Sequence, residues 1–280
     1  MAFFPAEGGQ IYYEHHRKGP IAVMLVHGWG TGTRIWDGLA AHLIDAGYSV
    51  LSFDQRGCGR SDKDFAEVSI AAGAKDLSGL IEHLGLDRVV LCGWSIGGAI
   101  ATMAASQLRD RLIGLVSICG ATPRFTAAED FPGAPTGSAA GMVQQLRADR
   151  FNFLGWMAEN SVVVDVGPAS RERMRLTFAE NAHTADQALL DLDDLDLRHI
   201  LRVLPVPFMA MAGRNDIFVD PAIHQAASEM APAGEIAWFE TGHTPFLEDP
   251  AGFRDRLLQF LEKLDGGKAK ASHSLGSTTA

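Results

Sequence analysis

Cysteine is scarce in this chain, with three, Cys58, Cys92 and Cys119, among 280 residues. An odd count at these spacings excludes a disulfide scaffold and supplies no C-x-x-C pair for zinc, so reduced, buried thiols are expected. Positive charge is also short. Twenty-four Lys and Arg face 34 Asp and Glu, for a formal net charge of −10. That is the wrong sign for neutralising nucleic-acid phosphates or for docking on an anionic membrane surface. No apolar run is long enough to span a bilayer, and Met1 to Gln10 has neither the basic flank nor the apolar stretch of a signal peptide. A soluble cytoplasmic protein is expected. There is no internal repeat.

Hydrophobic residues make up 47% of the chain and charged residues 21%, enough apolar surface to offset the entropy of ordering. The length suits one large core with an insertion. From residue 21 onward, short apolar runs alternate with segments of helical spacing, the pattern of βαβ units around a mostly parallel sheet. Strands are expected at Ala22 to Val26, Ser49 to Asp54, Arg88 to Cys92, Leu112 to Cys119, Pro207 to Ala212 and Glu235 to Phe239, with Tyr12 and Tyr13 in an earlier edge strand. Helices are expected at Trp36 to Ala46, Ala74 to Leu84, Ala99 to Leu108, Ala222 to Met230 and Ala251 to Leu264. Asp220 and Asp249, each before a proline, read as helix caps.

The alternation stops after Cys119 and resumes near Leu204. The intervening segment starts as a loop, Gly120 to Ser138, and then offers helices around Met142 to Phe153 and Ser170 to Asn181. Asp191, Asp193, Asp194 and Asp196 read as a solvated helix start rather than a metal site.

The strongest chemical signal is Gly93-Trp94-Ser95-Ile96-Gly97-Gly98, between an expected strand and an expected helix. Small residues two before and two after Ser95 suit a sharp turn that thrusts a serine outward at a helix N-terminus. A serine hydroxyl needs a base to take its proton. His243, in the turn-rich Glu240 to Phe246 after the last strand, is best placed, at the carboxyl edge of the sheet. Asp216, in Gly213-Arg214-Asn215-Asp216, follows another strand and would hold the imidazole tautomer. The backbone N–H groups of Ile96 and of Trp29, in His27-Gly28-Trp29-Gly30, are expected to face the developing oxyanion, at roughly 3 kcal/mol each. His27 reads as structural. Asp54 to Ser61 reads as a tight crossover, since it lacks both the P-loop ending and the G-x-G-x-x-G spacing. No cofactor and no metal are implied. Trp29, Trp94, Phe125, Phe151, Phe153, Trp156 and Met157 are candidates for an apolar substrate-pocket wall.

Taken in order, His27 to Gly30, Asp54 to Ser61, Gly93 to Gly98, Gly213 to Asp216 and Gly242-His243 resemble the motifs of the α/β-hydrolase superfamily. The resemblance implies an α/β-hydrolase fold with a mostly parallel central sheet flanked by helices. Residues 1–121 and 205–265 would form its core, 122–204 a helical cap and 266–280 a disordered tail. It also implies a Ser95, Asp216, His243 triad without cofactor, and a serine rather than the aspartate of dehalogenases and epoxide hydrolases. Gly93-Trp94-Ser95, Thr122 to Phe125 and Glu129 to Gly133 are similar to pimeloyl-ACP methyl ester esterases, with Asp130-Phe131-Pro132 where those have Asp-Trp-Pro. An acyl carrier partner would then need a basic patch from Arg147, Arg150 or Arg171 to Arg175. The expected activity is hydrolysis of a small carboxylic ester. Perhydrolase, lactonase or C–C hydrolase chemistry on the same triad, the first suggested by a resemblance of Ala46 to Ser61 to cofactor-free haloperoxidases, stays open. So does a ligand-binding role without turnover.

Overall fold

The computed structural model describes residues 2–266; from residue 267 onward the expected tail lies outside the described residues. Among them, eight strands form one sheet: β1 (Ala2–Ala6), β2 (Gly9–His16), β3 (Ala22–Val26), β4 (Ser49–Phe53), β5 (Val89–Trp94), β6 (Leu112–Ile118), β7 (Phe208–Gly213) and β8 (Gly234–Phe239). Their spatial order is β1-β2-β4-β3-β5-β6-β7-β8. β3 through β8 pair in parallel, while β1 and β2 add an antiparallel edge.

The helices are α1 (Asp37–Asp45), α2 (Ile70–His83), α3 (Ile96–Leu108), α4 (Ser138–Ala148), α5 (Arg150–Asn160), α6 (Gly167–Ala179), α7 (Gln187–Leu190), α8 (Arg198–Leu201), α9 (Pro221–Met230), α10 (Pro245–Glu248) and α11 (Pro250–Leu264). None is long and apolar enough to cross a membrane. The near-continuous apolar character of the inner strands follows from cover on both faces. Val23 and Leu25 of β3 join a core with Leu39 and Leu43 of α1 and Phe253, Leu257 and Phe260 of α11. Ala22, Met24 and Val26 point the other way, into a core with Leu77 and Ile81 of α2, Ile100 of α3 and Ile223 of α9. Cys58, Cys92 and Cys119 are free and buried.

Several boundaries differ from the sequence expectation for identifiable reasons. The tyrosine pair belongs to β2, which is not the edge, because β1 pairs outside it. α2 starts at Ile70 because the Ser69 hydroxyl accepts from the Ala72 N–H at 3.0 Å. The single helix expected over Met142 to Phe153 divides at Asp149, whose carboxylate accepts from the Asn152 N–H at 3.2 Å and starts α5. The acidic run is not a solvated helix start. Buried Asp193 accepts from the N–H groups of Gly137, Ala139 and Ala140 at the start of α4. Asp191 accepts from the Ile70 N–H of α2, and Asp196 pairs with Arg198. These three carboxylates spend their charge on the otherwise unpaired N–H groups of a helix start or on a neighbouring guanidinium, and Asp194 is exposed.

Candidate active site

Ser95 joins β5 to α3 with φ 56° and ψ −126°, a conformation that costs a non-glycine residue about 1–3 kcal/mol and is held only by its surroundings. Its N–H donates to Ile118 O at 3.0 Å, and its carbonyl accepts from Gly98 and Ala121. The glycines on either side are required by close approach. A Cβ on Gly93 would lie 2.2 Å from Gly97 O, and one on Gly97 would lie 2.4 Å from Val26 O and 2.5 Å from His27 O. The turn therefore closes tightly against the end of β3, leaving Ser95 half-buried at a helix start.

His243 follows β8 by four residues, and its ring is held on all sides. Nδ1 lies 2.8 Å from Asp216 Oδ2, while the rings of Phe218 and Trp94 pack against the imidazole at centroid distances of 5.2 and 5.5 Å. With Nδ1 directed at a carboxylate, the proton of the neutral ring is held there, and Nε2 is left as the acceptor. Asp216, just past β7, also accepts from the N–H groups of Phe218 at 2.8 Å and Val219 at 3.2 Å. Burial pushes its pKa up, but the His243 ring and these donors outweigh burial and hold it below the ordinary aspartate value. Asp220, expected as a helix cap, is exposed and caps α9 through the Ala222 N–H at 2.9 Å.

Ser95 and His243 line one cavity together with Trp29, Trp94, Ile96, Ala121, Phe125, Met142, Met157, Ser161, Phe178, Leu189, Leu192, Phe218 and Val219. About 50 Å³ of it is open to water-sized groups. The wall contains no Lys, Arg, Asp or Glu side chain. Of the expected wall residues, Trp29, Trp94, Phe125 and Met157 are there. Phe151, Phe153 and Trp156 are not: α5 turns Leu154, Met157 and Ala158 inward, so Phe151 is 76% exposed and Trp156 47% exposed. Trp156 instead stacks edge-on against Phe218 at 5.6 Å. Phe218 and Val219, absent from the expected wall, are carried in by the same loop as Asp216. Met142, Phe178, Leu189 and Leu192 come from the segment between β6 and β7, whose packing no local pattern announces.

The loop after β3 runs under the cavity. His27, fully buried, accepts at Nε2 from the Gln55 N–H at 2.9 Å and lies 2.8 Å from Gly28 O through Nδ1, so both ring nitrogens are occupied in structural bonds. Trp29 anchors its indole N–H on Ala185 O at 2.9 Å. Asp54 organises the following glycine turn by accepting from Thr33 and Arg60 N–H groups at 2.6 and 2.7 Å. For metals, Cys119, Asp216 and His224 bring ligand atoms within 4.8 Å of one another, all buried. Asp216 is already engaged by His243 and two N–H groups, and burial pushes the Cys119 thiol well up, which keeps it protonated and a poor ligand. Four of the arginines expected to form a basic patch are matched by carboxylates. Arg150 pairs with Asp186 at 2.8 Å, Arg171 with Glu159 at 3.5 Å and Arg175 with Glu172 at 2.8 Å, while Arg173 pairs with Asp37. Arg147 is exposed.

Residues 23–256 match the model of the alpha/beta hydrolase family. The chain is 30% identical over 261 residues to the pimeloyl-[acyl-carrier protein] methyl ester esterase of Klebsiella pneumoniae (strain 342), covering 91% of this chain and 98% of that protein. Among solved structures, an esterase from Exiguobacterium antarcticum superimposes with a TM-score of 0.88 at 24% identity, over 93% of this chain and 98% of the other. A bromoperoxidase from Bacillus anthracis superimposes with a TM-score of 0.85 at 25% identity, over 91% and 96%.

Proposed function

The chain belongs to the alpha/beta hydrolase family, and from that premise we propose that it hydrolyses small, uncharged carboxylic esters through an acyl-enzyme on Ser95. The observation that carries this reading is the buried 2.8 Å contact between His243 Nδ1 and Asp216 Oδ2, on the cavity that Ser95 also lines. Ser95 Oγ attacks the carbonyl carbon as His243 Nε2 takes its proton, and Asp216 stabilises the imidazolium. The negative carbonyl oxygen is met by the N–H groups of Trp29 and Ile96. Collapse breaks the bond to the alcohol oxygen, which leaves with the proton from His243. Water, deprotonated by the same imidazole, then attacks the acyl carbon, and the carboxylic acid departs as Ser95 regains its proton.

In this reading residues 122–204 are a cap over the core formed by 1–121 and 205–265, and the cap supplies half of the apolar wall. The absence of any charged group in that wall supports a neutral acyl chain. The local pairing of the arginines supports a free ester over one held by an acidic carrier protein. The test is labelling by a fluorophosphonate probe together with turnover of p-nitrophenyl butanoate, for wild type and Ser95→Ala. Labelling and turnover that both vanish in Ser95→Ala are expected. Labelling that survives the substitution would overturn the assignment. Wild type that labels but turns over no ester, even with hydrogen peroxide as the deacylating nucleophile, would remove ester hydrolysis and leave the nucleophile.

A further inference from the structure

Glu248, at the end of α10, is buried, and no Lys, Arg or His is bonded to its carboxylate among the described residues. What surrounds it is a shell of donors. The Gly242 N–H lies 3.0 Å from both Oε1 and Oε2, and the Thr244 N–H and hydroxyl lie 3.3 and 3.2 Å from Oε1. The N–H groups of Val163 and Val164 donate to Oε2 at 2.8 and 3.0 Å. The first set brackets His243 in the chain. The second belongs to the segment between α5 and α6, some 85 residues away. A buried carboxylate is tolerated only when its lone pairs are filled, and donors from two separate segments fill these.

The same two segments meet a second time. The His243 N–H donates to Ser161 O at 3.0 Å, and the His243 carbonyl accepts from the Trp94 indole at 2.8 Å. The N–H groups of Gly242, His243 and Thr244 and the His243 carbonyl are thus tied to Glu248, to Ser161 or to the residue preceding Ser95, while the Gly242 carbonyl accepts from the Cys119 thiol and the Thr241 hydroxyl. We propose that Glu248 is the positioning residue for His243, fixing the imidazole relative to Ser95 by clamping the His243 loop to residues 161–164. This rests on the reading of His243 as the base, and it assigns Glu248 no contact with substrate. Because bonds to an ionised acceptor are about twice as strong as neutral ones, the carboxylate does what a neutral amide of the same shape cannot. An amide also replaces one acceptor by a donor facing other donors.

The test is Glu248→Gln in the full chain, with ester turnover, fluorophosphonate labelling and the proton spectrum measured side by side. A displacement of the base by a fraction of an ångström costs about 10- to 100-fold in kcat, with KM within threefold of wild type. Labelling by the probe is expected to reach the wild-type end point, reporting intact Ser95, at a rate reduced by the same factor. The far-downfield resonance of the proton between His243 Nδ1 and Asp216 is expected to shift or broaden. A folded Glu248→Gln protein with kcat within twofold of wild type and an unmoved resonance would overturn the proposal. If Glu248→Gln does not fold, Thr244→Val carries the test, since it deletes one hydroxyl donor to the same carboxylate and keeps the side-chain shape. A two- to fivefold loss of kcat at unchanged KM is expected there, and unchanged kcat would overturn the proposal. Failure of the triad reading is seen separately, as labelling of wild type that does not depend on Ser95.

Discussion

The size of the cavity makes a quantitative demand on substrate choice. About 50 Å³ is open to water-sized groups, and at roughly 10–15 Å³ of such volume per group there is room for three to five of them. That corresponds to an acyl group between acetyl and butanoyl. Each buried methylene contributes about 0.8 kcal/mol, close to a fourfold gain in kcat/KM where the pocket accepts it. Along a series of p-nitrophenyl esters, kcat/KM of wild type should climb about fourfold per carbon to butanoate and then stop rising. Met157 lines the cavity from α5 and is only half-buried, so Met157→Ala opens the wall at little cost to the helix. Three heavy atoms are removed, and the break should move outward by about two carbons. Met157→Ala should then exceed wild type by roughly 16-fold on hexanoate, two methylenes' worth, with little change on acetate. Initial rates from acetate to octanoate, at substrate concentrations well below KM, read this directly. A wild-type profile that climbs steadily to octanoate, or a break that Met157→Ala leaves in place, would refute the assignment of this cavity as the acyl site.

Three further outcomes are expected. Asp216→Asn, which leaves the imidazole without its anionic partner and free to take the wrong tautomer, should lower kcat about 10⁴-fold; a loss under tenfold on the same ester assay would remove Asp216 from the mechanism. Gly97→Ala places a Cβ 2.4 Å from Val26 O and 2.5 Å from His27 O, contacts that only backbone movement relieves, and it should lower Tm by roughly 10 °C or abolish soluble protein; a wild-type melting curve would show that the turn is looser than described. His224 is fully buried, neither ring nitrogen has a hydrogen-bond partner among the described residues, and burial pushes its pKa down to about 4. Between the ordinary value of about 6.5 and that value, the unfolded chain binds a proton that the folded one refuses, so stability falls as pH drops through this window, by about 3 kcal/mol in all. His224→Leu should remove that share of the pH dependence, seen as urea midpoints that hold up better than wild type near pH 4.5, and parallel curves would contradict it.

What was legible in the sequence divides by range. The strands that deliver Ser95, Asp216 and His243 were readable because each is a short apolar run ended by turn residues, and parallel order brings those ends to one edge of the sheet. Gly93 and Gly97 were readable because the turn leaves no room for a Cβ. β1 was not, since Pro5 and an alternately exposed face give a five-residue edge strand little signal. The wall was the weakest reading. Counting aromatics selected Phe151, Phe153 and Trp156, but which face of α5 turns inward is decided by how α4 to α8 pack on one another. The arginines misled for the same reason. Arg173 finds Asp37 and Arg150 finds Asp186 across 136 and 36 residues of chain, and no local spacing foretells such partners.

Ser95, Asp216 and His243 all follow strand ends of the core, whereas most of the wall comes from the segment between β6 and β7. Wall and chemistry should therefore change independently, with one exception. Val163 and Val164 share the Glu248 carboxylate with the His243 loop, so movement of that short stretch reaches the base as well as the pocket. Charge divides in the same way. Arg150, Arg171, Arg173 and Arg175 of the segment pair with Asp186, Glu159, Asp37 and Glu172, in a chain of net charge −10. The pairs of Arg171, Arg173 and Arg175 are largely exposed and contribute little stability each, that of Arg150 with Asp186 is mostly buried, and all four reduce the positive potential that would draw in an acidic carrier. On the proposed function, selection for the substrate rests on the shape of a small apolar cavity, which suits an ester that diffuses in freely.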